Sequence, residues 1–346
     1  MALWTDILDP ATLTGYARAA LADYEARQGS LARFLPNRDV ADIVVRFVKG
    51  QAGLVEVARF RAFDAEPEVG KRPKADRVTI ELPALGQDIP ISEYDRIRAA
   101  GGTPSDAAIE QMLETTTTQV VRAIADSMER LRGVVIDTGK ATIDQENFSS
   151  DDNFGRDASL SFTSPDLFTD TTTDGLGLLQ DWVDLYEEKS GGATPGVILM
   201  GRAAFRNFGA LEQMQTVLVG GASRNATDQQ IQDTLAGHGL PPMEVYRRRV
   251  NVGGTLTPVL DPDKVYLLPE PVATDDWESS EMGATFWGRT LSSLEAEWAI
   301  EDADQPGIVA GAWKHDKPPH GAEIIGDAIG LPVLANANLS MAVTVR

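Results

Sequence analysis

The sequence has no cysteine, which removes disulfide staples, thiolate zinc sites and cysteine nucleophiles together. Histidine is scarce: only His238, His315 and His320 occur. Pro318-Pro319 separates the last two and keeps them off one helix face, so no convergent metal pair is indicated. Basic residues are also few, with 31 Lys and Arg against 52 Asp and Glu and a formal net charge of −21. Such a surface repels phosphate backbones, which excludes a dedicated nucleic-acid binder and leaves only local basic spots for DNA. No apolar run approaches the ~20 residues of a bilayer-spanning helix, and the opening MALWTDILDP lacks the basic and apolar regions of a secretory signal.

Catalytic signatures are missing as well. The nearest stretch to a Gly-x-Ser-x-Gly elbow, Gly221-Ala222-Ser223-Arg224-Asn225, ends in Asn. No Walker Gly-Lys-Ser/Thr is present, and Gly175-Leu176-Gly177 is followed by Gln180 where a dinucleotide fingerprint needs glycine. The acidic pairs Asp151-Asp152, Asp261/Asp263 and Asp275-Asp276 come closest to acid–base chemistry, but among 52 carboxylates such pairs arise by chance and read as solvated surface. Arg247-Arg248-Arg249 reads as a salt-bridging rim, with phosphate contact as the rarer alternative. No cofactor and no enzymatic activity are expected.

What is present is a globular composition, 42% hydrophobic over 346 residues, enough for roughly two domains. Met1 to Asp9 has no periodic segment and is expected to gain order by packing against another surface. A helix is predicted from Thr12 to Glu25, with Leu13, Tyr16, Ala20 and Tyr24 on one face. Val78, Ile80 and Leu82 alternate as in a half-buried strand, and Val55, Val57 and Arg59 are the expected partner in a long hairpin. Its tip, Asp64 to Asp76, is too charged to cover a core of its own chain. Thr103 as N-cap, Pro104 and Asp106 then open the clearest element, a helix over 103–132 that Gly133 is expected to end. Ile109, Met112, Leu113, Val120, Ile124, Met128 and Leu131 mark its core face, while Thr115 to Thr118 is a weak helix former that tertiary packing must hold. Asp137 to Pro165 reads as a boundary. An α/β region follows, with helices at Asp174–Lys189, Arg202–Phe208 and from Asn225 to Leu235. Its strands are expected at Val197–Met200, Met243–Val252, Leu256–Leu260 and Val265–Leu268, before a strand-rich end.

Several stretches in this order resemble the lambda-type major capsid protein E family of tailed bacteriophages. They are Gly70-Lys71-Arg72 at the hairpin tip, Asn153-Phe154-Gly155-Arg156 after the long helix, and Val197 to Phe205. Lys264-Val265-Tyr266-Leu267-Leu268-Pro269 follows, and then Pro306 to Lys314 with Gly330-Leu331-Pro332-Val333-Leu334. The resemblance implies an α+β chain with the tailed-phage major capsid fold of the Hong Kong ninety-seven type. Residues 1–50 would be an N-terminal arm and 51–94 an extended loop (E-loop). The peripheral P-domain would comprise 95–165, with the spine helix at 103–132, and the strands of 305–346. Residues 166–304 would form the axial A-domain.

It further implies a structural subunit that self-assembles into hexamers and pentamers of an icosahedral head around double-stranded DNA; an encapsulin-like shell for a cargo enzyme is the alternative. The functional residues would be interface residues, with Glu66, Glu68, Lys71, Arg72 and Lys74 at the loop tip touching a neighbour. Arm and hairpin would both be buried on adjoining copies. Expected partners are other copies, a separate scaffolding protein, the portal and a decoration protein, with DNA touched non-specifically and no membrane. The location would be the virion, after assembly in the host cytoplasm. Some capsids of this fold join a hairpin lysine to an asparagine of a neighbour; Lys71 or Lys74 with Asn336 or Asn338 occupy suitable positions here.

Overall fold

The structure, a computed structural model, describes residues 2–5, 8–27, 29–49, 76–99, 106–145, 148–219, 225–315 and 317–346. Its longest element is the helix Asp106–Thr138, about 50 Å from end to end at 1.5 Å per residue. Leu113, Val120, Ile124 and Met128 are buried on one apolar cluster, with Ile109 and Met112 half-buried against it. Leu131 packs on a second, larger cluster. The threonine run stays helical because each hydroxyl donates to the carbonyl four residues back: Thr115 to Gln111, Thr116 to Met112, Thr117 to Leu113 and Thr118 to Glu114, at 2.8–3.0 Å. This back-bonding satisfies the hydroxyls where β-branching costs propensity.

Gly133 does not end the helix. A Cβ built there would lie 2.4 Å from the Val259 carbonyl oxygen, so the glycine serves a close approach of another segment in mid-helix. The chain leaves the helix at Gly139 instead, where φ is +71°, a conformation that glycine adopts without strain.

Among the described residues the long helix packs on a six-stranded sheet centred on Ala322–Leu334. That strand pairs antiparallel with Ala84–Ile91, Val309–Lys314 and Gly283–Gly288; Ala2–Leu3 and Asn37–Asp39 lie at the edges. Residues 322–330 alternate between buried and half-buried, the period of two expected of a strand with one covered face. The missing side chain of Gly326 makes the helix contact possible, because a Cβ there would meet Val120 Cγ1 at 2.4 Å.

A five-stranded sheet runs in the order Met243–Tyr246, Val197–Gly201, Lys264–Leu268, Met341–Thr344, Ser161–Thr163. Val197–Gly201 is wholly buried, as a central strand must be. The helix Gly175–Ser190 enters through an Asp174 N-cap and leaves at Gly191, and Arg202–Phe208 matches the sequence reading. The third helix begins later than expected: Thr227, not Asn225, caps Asp228–Gly237 through a capping box with Gln230. The helix Glu212–Val219 and the strand Gly283–Gly288 were not singled out by pattern. The boundary region carries a hairpin, Lys140–Gln145 with Phe148–Asn153. Two strands join sheets distant in sequence: Gly283–Gly288 lies within the 166–304 region yet pairs with Ala322–Leu334, and the terminal Met341–Thr344 pairs with Lys264–Leu268.

Two sequence expectations are corrected here. The partner of Asp76–Glu81 is Val44–Lys49, with Val45 opposite Ile80; Val55, Val57 and Arg59 lie outside the described residues. Val45, Ile80 and Leu82 are buried in the larger cluster of their own chain, so the base of the hairpin is rooted at home. The arm is rooted at home too. Ala2–Leu3 adds to the chain's own sheet, Trp4 is buried beside it, and the helix Pro10–Arg27 lies on the long helix with Leu13 and Ala17 fully covered. Its inward face is therefore Leu13, Ala17 and Glu25, while Tyr16 is 40% exposed.

Candidate inter-subunit surfaces and the sheet junction

The residues expected at the hairpin tip, Glu66, Glu68, Lys71, Arg72 and Lys74, lie outside the described residues. Of the core-face residues of the long helix, Leu113, Val120, Ile124 and Met128, with Ile109 and Met112 beside them, share one apolar cluster with Ile324 and Ala328 of Ala322–Leu334, whereas Leu131 packs on the other cluster.

Sequence reasoning missed the polar centre where arm, long helix and both sheets meet. Arg132 is fully buried, and each arm of its guanidinium has a partner. Nε donates to Thr285 Oγ1 at 2.9 Å, Nη1 to Glu25 Oε1 at 2.5 Å and Nη2 to Asn37 Oδ1 at 2.6 Å. Asn37 Nδ2 returns a bond to Glu25 Oε2 at 2.7 Å, and Trp287 Nε1 donates to Asn37 at 2.9 Å. Glu129, one helical turn from Arg132, accepts from Ser30 Oγ, from the Leu31 backbone N–H and from Tyr246 Oη at 2.5–2.8 Å. Arg248 completes the group, 3.2 Å from Asp126 and 3.4 Å from Glu129, with its guanidinium over the Tyr24 ring. The Tyr246 hydroxyl is pushed well up by burial and then by the Glu129 carboxylate. For Arg248 burial pulls downward, but Glu129, Tyr246 and Asp126 outweigh it and the net shift is up. Four charged side chains, Glu25, Glu129, Arg132 and Arg248, are thus taken out of water together with the partly exposed Asp126 at their edge, which is tolerable only because most lone pairs and N–H groups are matched.

The Asn153-Phe154-Gly155-Arg156 stretch acquires a physical role. Phe154 is buried, Gly155 turns the chain at φ +75°, and Arg156 donates to the Ile136 and Asp137 carbonyls and to Ser340 Oγ. A cation on the last carbonyls of the long helix complements its dipole as well as its unpaired acceptors. Burial lowers the Arg156 pKa to about 10, with Asp137 opposing, so it stays charged at neutral pH. Asp137 in turn receives Lys264 Nζ at 2.7 Å and Tyr266 Oη at 3.0 Å. The Lys264–Leu268 strand is thereby tied to the C-terminal end of the long helix.

Several of the residues considered for chemistry are engaged structurally. Asp261 accepts from the Asp263 N–H, and Asp263 pairs with Arg346 at 2.9 Å. Asp151 takes the Thr142 hydroxyl at 2.7 Å, which lowers its pKa ahead of the nearby Lys140, and Asp276 accepts from the Ser279 N–H. Arg248 is the salt-bridging member of the arginine triplet. Asn338 accepts from the Asp157 N–H and donates to the Lys189 carbonyl, while Asn336 caps the short turn Ala337–Leu339. Among the described residues no group of three or more His, Asp or Glu side chains is placed to hold a metal ion.

Several large apolar side chains face solvent. Tyr94 and Ile97 share one face of the helix Glu93–Ala99 at 69% and 65% exposure, and Leu291 and Leu294 open and close the short helix Leu291–Leu294. An open cleft of about 610 Å³ beside the long helix is lined by Leu85, Leu131, Val134, Ile143, Phe148 and Val252.

Comparison with known proteins gives the context. A family model described as phage major capsid protein E matches residues 19–289. No curated protein sequence is significantly similar to the chain. A solved structure of a protein assigned as a prophage capsid protein from Escherichia coli CFT073 superposes with a TM-score of 0.64 at 16% identity, covering 98% of this chain and 99% of that one. A phage-related protein from Bordetella bronchiseptica RB50 superposes with a TM-score of 0.53 at 13% identity, covering 99% and 98%.

Proposed function

The chain belongs to the phage major capsid protein E family and has the tailed-phage major capsid fold of the Hong Kong ninety-seven type; it is a major capsid protein, and from that premise we propose how its parts serve a shell. Copies associate as hexamers and pentamers of an icosahedral head around double-stranded DNA, and the protein is a component of the virion. Residues 1–50 act as the arm, 51–94 as the extended loop, 95–165 with 305–346 as the P-domain and 166–304 as the A-domain. Three strands cross this division, since Gly283–Gly288 lies in the sheet of the former and Ser161–Thr163 and Met341–Thr344 in that of the latter.

Glu66, Glu68, Lys71, Arg72 and Lys74 make ion pairs with a neighbouring copy, and the exposed Tyr94, Ile97, Leu291 and Leu294 are covered by assembly. The surplus of acidic groups keeps packaged phosphate from adhering to the shell. A scaffolding protein, a portal and a decoration protein complete the head, assembled in the host cytoplasm without catalysis by this chain. No described helix is long and apolar enough to cross a membrane.

The observation that carries this reading is the family match, which runs from the arm through the hairpin and long helix to Gly283–Gly288. It favours a phage head over an encapsulin-like compartment. Deletion of Glu66 to Asp76 tests it. The variant is expected to keep its circular dichroism and protease resistance, because the root of the hairpin is held by Val45, Ile80 and Leu82, and to form no closed particles by electron microscopy. Normal particles from the deletion would overturn the assigned role.

A further inference from the structure

The arm helix Pro10–Arg27 follows a short strand paired to its own sheet, and its own polar contacts with the body are densest near its two ends. Toward its start, the Thr14 hydroxyl exchanges bonds with the Ala310 backbone, and Arg18 donates to the Asp304, Pro306 and Ile308 carbonyls. Toward its end, Glu25 bridges Arg132 and Asn37 in the ionic centre, while the neighbouring Tyr24 donates to Asp126 at 2.9 Å and lies under the Arg248 guanidinium at its edge. Between them Leu13 and Ala17 are fully covered, with Ala20 and Leu21 half-buried beside them. Immediately beyond the helix, Gly29 adopts φ +60° and a Cβ added there would meet nothing within 4 Å. Ser30 and Leu31, the next residues, are already gripped by Glu129 of the long helix.

The charges are distributed unevenly across this joint. Glu25, Asp126 and Glu129 face Arg132 and Arg248, three negative groups against two positive ones. Without Glu25 the body retains two of each. The arm thus contributes the one ion that the body does not need for balance, and it enters beside a turn with open space around it. Buried ion pairs add little net stability but fix geometry strongly, and fixing one arrangement among alternatives is their best-attested use.

We propose that Glu25 is a lock on the arm. Seated between Arg132 and Asn37, it holds the arm helix along its own long helix; withdrawn, it lets the helix pivot about Gly29 as a unit while the body keeps its fold. The inference concerns one copy and does not depend on the assembly reading.

Hydrogen exchange followed by mass spectrometry on the full chain tests it. In Glu25→Ala, amides of residues 11–27 are expected to exchange about tenfold faster, while those of Val197–Gly201 and Lys264–Leu268 stay within about twofold of the parent. Unchanged arm protection, or equal acceleration in arm and sheet, would overturn the lock. Arg18→Met cuts the other fastening and is expected to leave residues 22–27 protected; release of the whole helix by that variant would equally refute a lock at Glu25. The isosteric Glu25→Gln provides the same reading if the alanine variant does not fold, with about threefold acceleration expected in the arm alone.

Discussion

Replacing Gly133 by alanine sets helix propensity against packing, and the two give opposite signs. Gly133 lies inside Asp106–Thr138, where alanine is favoured over glycine by about 1 kcal/mol. The added Cβ, however, would stand 2.4 Å from the Val259 carbonyl oxygen, 2.7 Å from Val259 Cγ1 and 3.1 Å from the Val259 carbonyl carbon. Val259 can turn its side chain, but it cannot turn its carbonyl. That backbone is held by the Val259 N–H bond to the Arg248 carbonyl, and Arg248 is itself fixed by Asp126 and Glu129. Relief therefore requires the helix and the 259 segment to separate by close to an ångström. Overpacking of this kind costs about 1–3 kcal/mol, and a clash with backbone belongs at the upper end. The expected net effect is a loss of about 1–2 kcal/mol. Urea unfolding of unassembled subunits, with the midpoint compared at unchanged slope, measures it. A variant as stable as the parent, or more stable, would refute the close-approach reading and return Gly133 to the role of a weak helical residue.

Two further outcomes follow from the long helix and its sheet. Arg156→Met removes the cation from the Ile136 and Asp137 carbonyls and from Ser340; loss of charge-assisted bonds of this type is expected to cost about 2 kcal/mol, read as a lower urea midpoint, and an unchanged midpoint would disprove the cap. Asp327→Asn is expected to stabilise at neutral pH. Burial holds the Asp327 carboxyl above the usual range, against the pull of Ser292 and the Ala328 N–H. As pH rises from the ordinary carboxylate value to the raised one, the folded chain keeps a proton that the unfolded chain has released, so stability falls and stays lower above it. Melts from about pH 3.5 to 7.5 should show the variant ahead of the parent at pH 7 and level with it at the acid end. A variant that melts lower at pH 7 would contradict the assignment.

Much of the secondary structure was legible because its signals are local. Asp174 and Gly191 bound one helix, Val197 to Met200 is an uninterrupted apolar run, and the spacing from Ile109 to Leu131 declares a helical face. The errors have a common cause. Gly133 and Gly139 look alike in sequence, yet one is needed for what approaches from outside and the other for its own φ. Val44–Lys49 and Val55 to Arg59 both suit a strand, and only pairing decides which faces Ile80. The ionic centre left no trace in the pattern: its charged members, from Glu25 to Arg248, are spread over more than two hundred residues, and each resembles an ordinary surface charge.

The amino-acid order by itself determined the composition class, the acidic character, the positions of most helices and strands, and the family to which they belong, since each of these depends on neighbours along the chain. Tertiary structure alone decided that the arm and the hairpin root rest on their own body, that Gly283–Gly288 and Met341–Thr344 cross between sheets, and that Glu25, Glu129 and Arg132 share one dry site. Those outcomes depend on distances through space. Burial changes what a charged side chain must have around it, and no periodicity in the sequence records that requirement.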